Sequence, residues 1–519
     1  MPETEVAPPA PHRARLLERV DWAWMLALMA GGLLLRLLYW SGFGLIDDVL
    51  FRHFIASILW NHGVLHDNFT YRFTWWIPTA LFGRFMGLSE QSMILPITVV
   101  ATLGTGVMYA LGKQLFGRPG AIIAALLLVV APIDFAWSTM LANDIFFSVC
   151  SAAFFLCVLR ALEVDDDPLV RRRRWVLAGV FLLLSYHAKA SAPSLVPALV
   201  LTLWMKRRAV DRTFTAFLVS AGTLLGASAL VSFVLSGDPL IAINSEIAFQ
   251  GLSGRTAVEY HPLHRMLFWT YPRLMFFPDN LGDRIYSIYP QLLIVLALLA
   301  LPLGLRTSWV AFWWFLFVFA GMQFNIQRVD GTWIAGFRNI RHTHVFVYPM
   351  ILLLAGYLAS LLARAPRLGA AVLVALVGYS AFQSQSTAYK THVAFEDRRQ
   401  ACHFLASLPS KVIHGDFQIN IWLSILQTDQ KMFPVVEIPT DNTRAGRVAA
   451  IANLHSGYLV TGGAREPYYG CWECTALADE LPKGRWKLIF EYAGPDFHPP
   501  WRQEPIRVWE STEDAEPSS

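Results

Sequence analysis

Nine apolar runs, each near the ~20 residues a helix needs to cross a bilayer, recur at about 22–40, 91–112, 119–138, 143–162, 214–235, 286–304, 309–326, 344–363 and 368–384. Segments of this kind must close their backbone hydrogen bonds within helices, because hydrocarbon holds no water to take them. Of the 519 residues, 55% are hydrophobic and 15% charged, against about a quarter charged in soluble domains. The chain therefore reads as a polytopic α-helical membrane protein. Its net charge of +4 is small and confined to short loops, which excludes a nucleic-acid footprint. The tail to Arg19 is polar and Pro-rich, and no small-residue cleavage site follows the first run, so that run reads as a retained span.

Between Trp175 and Trp204 lies a further stretch interrupted by His187 and Lys189. Arg171 to Arg174 precede it and Lys206, Arg207 and Arg208 follow it, and both clusters belong on the cytoplasmic side. Two short spans with a turn at His187-Ala-Lys-Ala190 satisfy that rule where one span does not, giving about eleven transmembrane helices. Pro193 and Pro197 interrupt this region, as short spans beside binding sites often are. The expected division is a cytoplasmic tail at 1–21, a membrane domain at 22–385, an extracytoplasmic domain at 386–509 and a disordered tail at 510–519. Main outer loops are expected at 41–90, 236–285 and 327–343.

The C-terminal region alternates short apolar strands (411–416, 456–461, 486–492, 506–510) with helices (396–408, 417–427, 472–481), the pattern of a small α/β domain. Cys471 and Cys474 fit a disulfide first, then half a metal site or free thiols, since no second pair completes a tetrahedral site.

The candidate chemistry falls on one side of the membrane. Asp47 and Asp48 end the first span, and ionisable residues at a membrane edge are functional candidates. Val49 to His62, which includes His53, is amphipathic, with Leu50, Phe54, Ile58 and Leu59 on one face, as in helices that lie in the interface. Asn143 and Asp144 open the fourth span, where helix capping accounts for one of the two. His187 and Lys189 follow, the lysine serving either as a cation for a lipid phosphate or as a snorkelling surface charge. Arg338, Arg341, His342 and His344 precede the tenth span and supply an excess of donors for a phosphate or a sugar. The i, i+2 spacing of the two histidines is unspecific for a metal.

The pattern Asp47-Asp48, then Ala56 and Gly63, resembles the start of the GT-C glycosyltransferases. The branch it is most similar to comprises the bacterial relatives of protein O-mannosyltransferases and the lipid A aminoarabinose transferase (glycosyltransferase family 39-like). Asn143-Asp144-Ile-Phe-Phe resembles that family's second outer-loop acid. Tyr186-His-Ala-Lys-Ala190 stands at its Thr-Lys-Gly-like turn, with alanine in place of glycine. Arg338 to Pro349 resembles its arginine-rich approach to a span, without the usual tyrosine.

The resemblance implies the GT-C fold and transfer of a sugar from a polyprenyl-phosphate donor to a glycan, lipid or protein at the outer face of the inner (plasma) membrane. It implies Asp47 as general base, with Asp48 and Asp144 in support, and Lys189, Arg338 and Arg341 on the donor phosphate. His53, Asn143, His187, His342 and His344 are the expected donor or acceptor contacts. No cofactor is implied, and a divalent cation is left open. A transporter or flippase for a lipid-linked or anionic solute is the rival, and an assembly protein whose loop charges only set topology is a second.

Overall fold

The computed structural model describes residues 17–43, 52, 54–56, 59, 71–163, 167–189, 191–207, 210–241, 243–244, 309–324, 326–329, 332–335, 340–394, 396–415, 422–423, 434–438, 444–462, 481–482, 484–494 and 505–512, without the side chains of 235, 326–342, 394, 437, 444 and 447. The expected run 286–304, most of the loop 236–285, and Cys471 and Cys474 lie outside the described residues.

The helices of the bundle are α1 (Arg19–Leu38), α2 (Phe73–Met86), α3 (Glu90–Val129), α4 (Pro132–Trp137), α5 (Asp144–Ala161), α6 (Pro168–Ala188), α7 (Leu195–Met205), α8 (Thr215–Ser236), α9 (Trp309–Gln323), α10 (Val347–Arg364) and α11 (Pro366–Ala394). Among the described residues six helices are long and apolar enough to cross a bilayer. Apolar side chains surround α5, which is accordingly central and buried. By contrast α1, α8 and α11 expose Leu26, Leu34, Val219, Phe233, Val374 and Phe382. So much exposed apolar surface suits lipid rather than water.

A straight helix of the 40 residues of α3 would run about 60 Å, twice the hydrocarbon thickness of about 30 Å. Gly117 breaks it with φ 73 and ψ −170, a region glycine enters without steric penalty. The two arms fold back on each other, and a Cβ on Gly112 would stand 2.9 Å from the Gly120 carbonyl oxygen and 3.0 Å from Ala121 Cα. Small residues thus let the arms meet at backbone contact. The expected third span, 119–138, is interrupted. Pro132 lacks the N–H that would continue the helix and its ring clashes with the preceding turn, so the chain restarts as the separate helix α4.

Charged groups collect at the two ends of the bundle. At one end Asp21 binds Lys113 Nζ at 3.0 Å and Arg118 Nε at 2.7 Å. Glu163 there accepts from Gln114 and pairs with Arg160 and Arg174, and Arg171 pairs with Asp211. Arg171 starts α6 and Asp211 follows α7, so these helices form the expected hairpin, turning at Lys189 and Ala192–Ser194.

Other parts of the chain also depart from the sequence reading. The helix α2 was not expected in the loop 41–90, and neither was the antiparallel hairpin β1 (Ile326–Val329) with β2 (Thr332–Ala335) in the loop 327–343. Asp330-Gly331 between the strands is the turn signal that marks such a hairpin. In the segment after the acid pair, the described apolar residues face the bundle. Phe54, Ile55 and Ala56 are buried, and Phe54 packs on Trp75 and Trp76 of α2 at ring distances of 6.4 and 6.3 Å. Finally α11 runs about ten residues past its apolar run, ending at Ala394.

Beyond α11 stand α12 (Glu396–Ser407), β3 (Ile413–Gly415), β4 (Val435–Glu437), α13 (Arg444–Ala452), β5 (Tyr458–Thr461), β6 (Trp486–Tyr492) and β7 (Ile506–Ser511). The sheet order is β4-β3-β5-β7-β6, with β3 parallel to β4 and β5, and β7 antiparallel to β5 and β6. Phe404 of α12 stacks on Phe490 of β6 at 4.6 Å, and Ile438, Ile451, Leu459 and Trp486 form a second small core. The strand β4 and helix α13 were not foreseen. The expected helices 417–427 and 472–481 fall almost wholly outside the described residues.

Replacing Gly112 by valine should destabilise the hairpin of α3 by about 1–3 kcal/mol through overpacking. Thermal unfolding in nanodiscs checks this, with Gly222→Ala, where a Cβ meets nothing within 4 Å, as the silent control. A pH effect is expected in the sheet. Burial holds His414 below its ordinary value of 6.5, against a hydrogen bond to the Ser456 carbonyl that raises it. The unfolded chain then binds the proton more readily than the folded one. Stability is fully present above 6.5 and is lost as pH falls from there through the folded value. The drop in melting temperature between pH 7.5 and 5.5 should shrink in His414→Gln.

Candidate active site

Opposite the basic end, the break at Pro132 turns α4 so that Asp134 enters the bundle. Its Oδ2 accepts from Arg36 Nη2 of α1 at 2.8 Å, and its Oδ1 accepts from His344 Nε2 at 3.0 Å. Arg36 Nε also donates to Ser138 Oγ at 2.8 Å, and His344 Nδ1 lies 3.1 Å from Ser148 Oγ of α5. Arg36, Asp134, Ser148 and His344 are all 0% exposed. Both ring nitrogens are thus engaged, Nε2 by the carboxylate and Nδ1 by the serine hydroxyl. One network thus joins α1, α4, α5 and the approach to α10.

A second ion pair lies on the same end. Asp144 is the first residue of α5 and wholly buried, and its Oδ1 accepts from Lys189 Nζ. Negative charge at a helix N-terminus is favoured by the orphan N–H groups there. Lys189 follows the last residue of α6 in extended conformation, φ −156 and ψ 138, which swings its side chain across to α5. Asn143 precedes Asp144, buried and in helical conformation, with no side-chain cap on α5. The expected capping therefore does not account for it.

The residues leading to the acid pair are held from three sides. Gly42 N donates to the Thr139 carbonyl at 3.0 Å, and Thr139 Oγ1 donates to Ser41 Oγ at 2.8 Å. Phe43 N donates to Glu90 Oε1, and Phe43 O accepts from Arg399 Nη2 of α12 at 3.1 Å. On the far side of the pair, Arg52 Nε donates to the Leu88 carbonyl at 3.1 Å, and burial pushes its guanidinium down to about 10, still charged at neutral pH.

Of the expected site residues, the structure brings Asp144 and Lys189 together and makes them partners. His187 is buried with both nitrogens engaged: Nδ1 donates to the Tyr71 carbonyl at 2.8 Å and Nε2 accepts from Ser228 Oγ at 2.9 Å. It pins α6 to α8 and to the start of α2, and does not present a free edge to a ligand. His344 is likewise taken up by Asp134 and Ser148. Asp47, Asp48, His53, Arg338 and the side chains of Arg341 and His342 lie outside the described residues. No group of three metal-ligating side chains converges among the described residues. Sequence reasoning missed Arg36, Asp134, Glu90 and Arg399. A signal existed for the first two, each a lone charge inside an apolar run. None existed for Glu90 and Arg399, whose contacts join distant parts of the chain.

Residues 69–233, which include Asp134, Asp144 and Lys189, match the family model of dolichyl-phosphate-mannose-protein mannosyltransferases. ArnT from Cupriavidus metallidurans in its apo state superposes with a TM-score of 0.56 at 12% identity, over 96% of this chain and 100% of that one. The same protein bound to undecaprenyl phosphate gives 0.56 at 13%, over 96% and 99%. The Archaeoglobus fulgidus oligosaccharyltransferase in complex with zinc and sulfate gives 0.51 at 12%, over 96% of this chain and 74% of that one. No curated protein matches the chain in sequence. At these identities the likeness establishes the fold.

Asp134→Ala strands Arg36 in a fully buried site, which should destabilise the protein by about 3–5 kcal/mol. The double variant Arg36→Met, Asp134→Leu removes both charges and should recover most of that loss. Thermal unfolding of the single and double variants side by side measures the difference.

Proposed function

We propose that this chain, which belongs to the GT-C superfamily by fold, is an integral membrane glycosyltransferase that moves a sugar from a polyprenyl-phosphate donor to an extracytoplasmic glycan, lipid or protein. The observation that carries the reading is the superposition over 96% of this chain and 99% of a structure holding undecaprenyl phosphate. The match of residues 69–233 to a mannosyltransferase family supports it.

Orientation follows from charge. Lys113, Arg118, Arg160, Arg171 and Arg174 all make their contacts at one end of the bundle. Basic residues near span ends mark the cytoplasmic side, so the end with Asp134, Asp144 and the C-terminal sheet faces outward. The N-terminus is then cytoplasmic, residues 386–509 form an extracytoplasmic domain, and the membrane is the cell's inner (plasma) membrane.

In the reaction the acceptor oxygen or nitrogen attacks the anomeric carbon from the face opposite the phosphate. The bond from that carbon to the phosphate oxygen breaks with inversion, and polyprenyl phosphate leaves with the electron pair. Asp47 takes the acceptor's proton, with Asp48 beside it. Lys189, Arg338 and Arg341 meet the charge that grows on the departing phosphate. Asp144 acts through Lys189. Their ion pair holds the ammonium at the turn between α6 and α7, on the side assigned to the donor phosphate. The sugar transferred, hexose or pentose, is set by contacts that would form around the bound donor.

The test is a transfer assay on purified protein in lipid, with a panel of radiolabelled polyprenyl-phosphate sugars and a membrane extract as acceptor pool. Wild type should move label from carrier to extract, and Asp47→Asn should lower the rate by about 10²–10⁴-fold, the range for loss of a general base. Asp144→Asn should weaken transfer with a rise in donor KM. Uptake of a labelled donor across the bilayer with no label reaching an acceptor, unchanged in Asp47→Asn, would favour the transporter.

A further inference from the structure

The chain just before the acid pair is gripped by the beginning of the C-terminal region. Three consecutive residues, Ser41, Gly42 and Phe43, each meet it. His392 Nδ1 donates to the Ser41 carbonyl at 3.3 Å, and Arg399 Nη2 donates to the Phe43 carbonyl at 3.1 Å. Gly42 has φ +75, and a Cβ there would fall 2.3 Å from Glu90 Oε1 and 3.3 Å from Arg399 Nη2. Only glycine permits that approach.

Arg399 is the centre of the arrangement and is 8% exposed. Its Nη1 donates to the His392 carbonyl at 2.5 Å and to Glu396 Oε2 at 2.8 Å, while its Nε lies 3.6 Å from Glu90 Oε1. Glu90, the first residue of α3, accepts in turn from Phe43 N. Glu396 is further bound by Gln400 Nε2 at 2.6 Å. Burial alone would raise its carboxyl, but the hydrogen bonds from Gln400 and Arg399 outweigh this and hold it below the ordinary value. One guanidinium therefore ties the end of α11, the start of α12, the start of α3 and the stem of the acid loop. The flat fork of an arginine suits such a junction, since its donors diverge in fixed directions.

We propose that Arg399 is a positioning residue for the sugar-transfer site: the C-terminal region sets the stem of the acid loop, and through it the placement of Asp47, by the Arg399–Glu90–Phe43 clasp. This rests on the transferase reading above. The stem is held against the bundle by Thr139 on one side and by the clasp on the other, so removing the clasp frees one side only. Arg399 touches neither donor nor acceptor in this scheme. Its effect appears in the chemical step, where small misplacements of a catalytic group are expensive, while donor binding at Lys189 is spared.

The experiment pairs kinetics with hydrogen–deuterium exchange on the full chain in nanodiscs. In Arg399→Ala, exchange over residues 41–43 should rise while α5 and α10 stay protected. The kcat should fall by about 10–100-fold, as for a catalytic group displaced by an ångström or less, with donor KM within about twofold of wild type. Arg399→Lys, which keeps the charge but not the fork, should lie between the two. Glu90→Ala should loosen the same residues, and the double variant should be no worse than the poorer single one, because both act through one clasp. If Arg399→Ala does not fold, Glu90→Ala carries the same readouts. Unchanged exchange over 41–43, or a fall in kcat matched by an equal loss of folded protein, would overturn the proposal. Loosened exchange in a protein whose wild type transfers no sugar would leave the clasp standing and sink the transferase reading, so the two failures are distinguishable.

Discussion

A carboxylate and a guanidinium taken out of water each lose several kcal/mol of hydration, and only a close partner returns it. That requirement organises the end of the bundle opposite the basic cluster. Asp134 is buried without exposure, so Arg36 must reach it from α1 and His344 from the approach to α10. Ser148 then has to meet the other nitrogen of the same ring. Four segments far apart in sequence are thereby held at one level. The partners replace each other's water, and none of the segments can shift without uncovering a charge. The cause is a single local event, the break at Pro132, which ends the second arm of α3 and turns Asp134 inward.

Upon this frame the groups assigned to chemistry are carried by helix ends. Asp144 opens α5 and Lys189 closes α6, so their pair inherits the rigidity of two buried helices. Rigid support of this kind is what a site needs when its groups must stay within a fraction of an ångström. The described residues on either side of the acid pair have a different mounting. Ser41 to Phe43 are gripped between Thr139 and the clasp of Glu90 and Arg399, and Arg52 meets the Leu88 carbonyl. The bundle and the C-terminal region therefore both hold residues 41–43.

Where local rules act alone, the sequence was a sound guide. Among the described residues most of the apolar runs became helices, the basic clusters around Arg171 and Lys206 led to the turn at Lys189, and the alternation at Trp486–Tyr492 became a strand. Reading failed where an element's character comes from its neighbours. Phe54 of the amphipathic stretch after the acid pair looks like a membrane-facing residue until Trp75 and Trp76 cover it. His187 looks like a ligand contact until Tyr71 and Ser228 take both its nitrogens. Asn143 looks like a cap, yet its backbone is already helical.

By itself the sequence determined the membrane class, most span positions, the charge at each end of the bundle and the candidacy of Asp144 and Lys189. Those follow from hydropathy, chain length and charge, which are properties of neighbouring residues. Only the tertiary structure decided that Asp144 and Lys189 are partners, that Arg36 and Asp134 neutralise each other across 98 residues, and that Arg399 reaches Phe43 across 356. The physical reason is that a pairing energy depends on distance in space. A charge in an apolar run announces that a partner must exist, and the packing of helices alone selects which one it is.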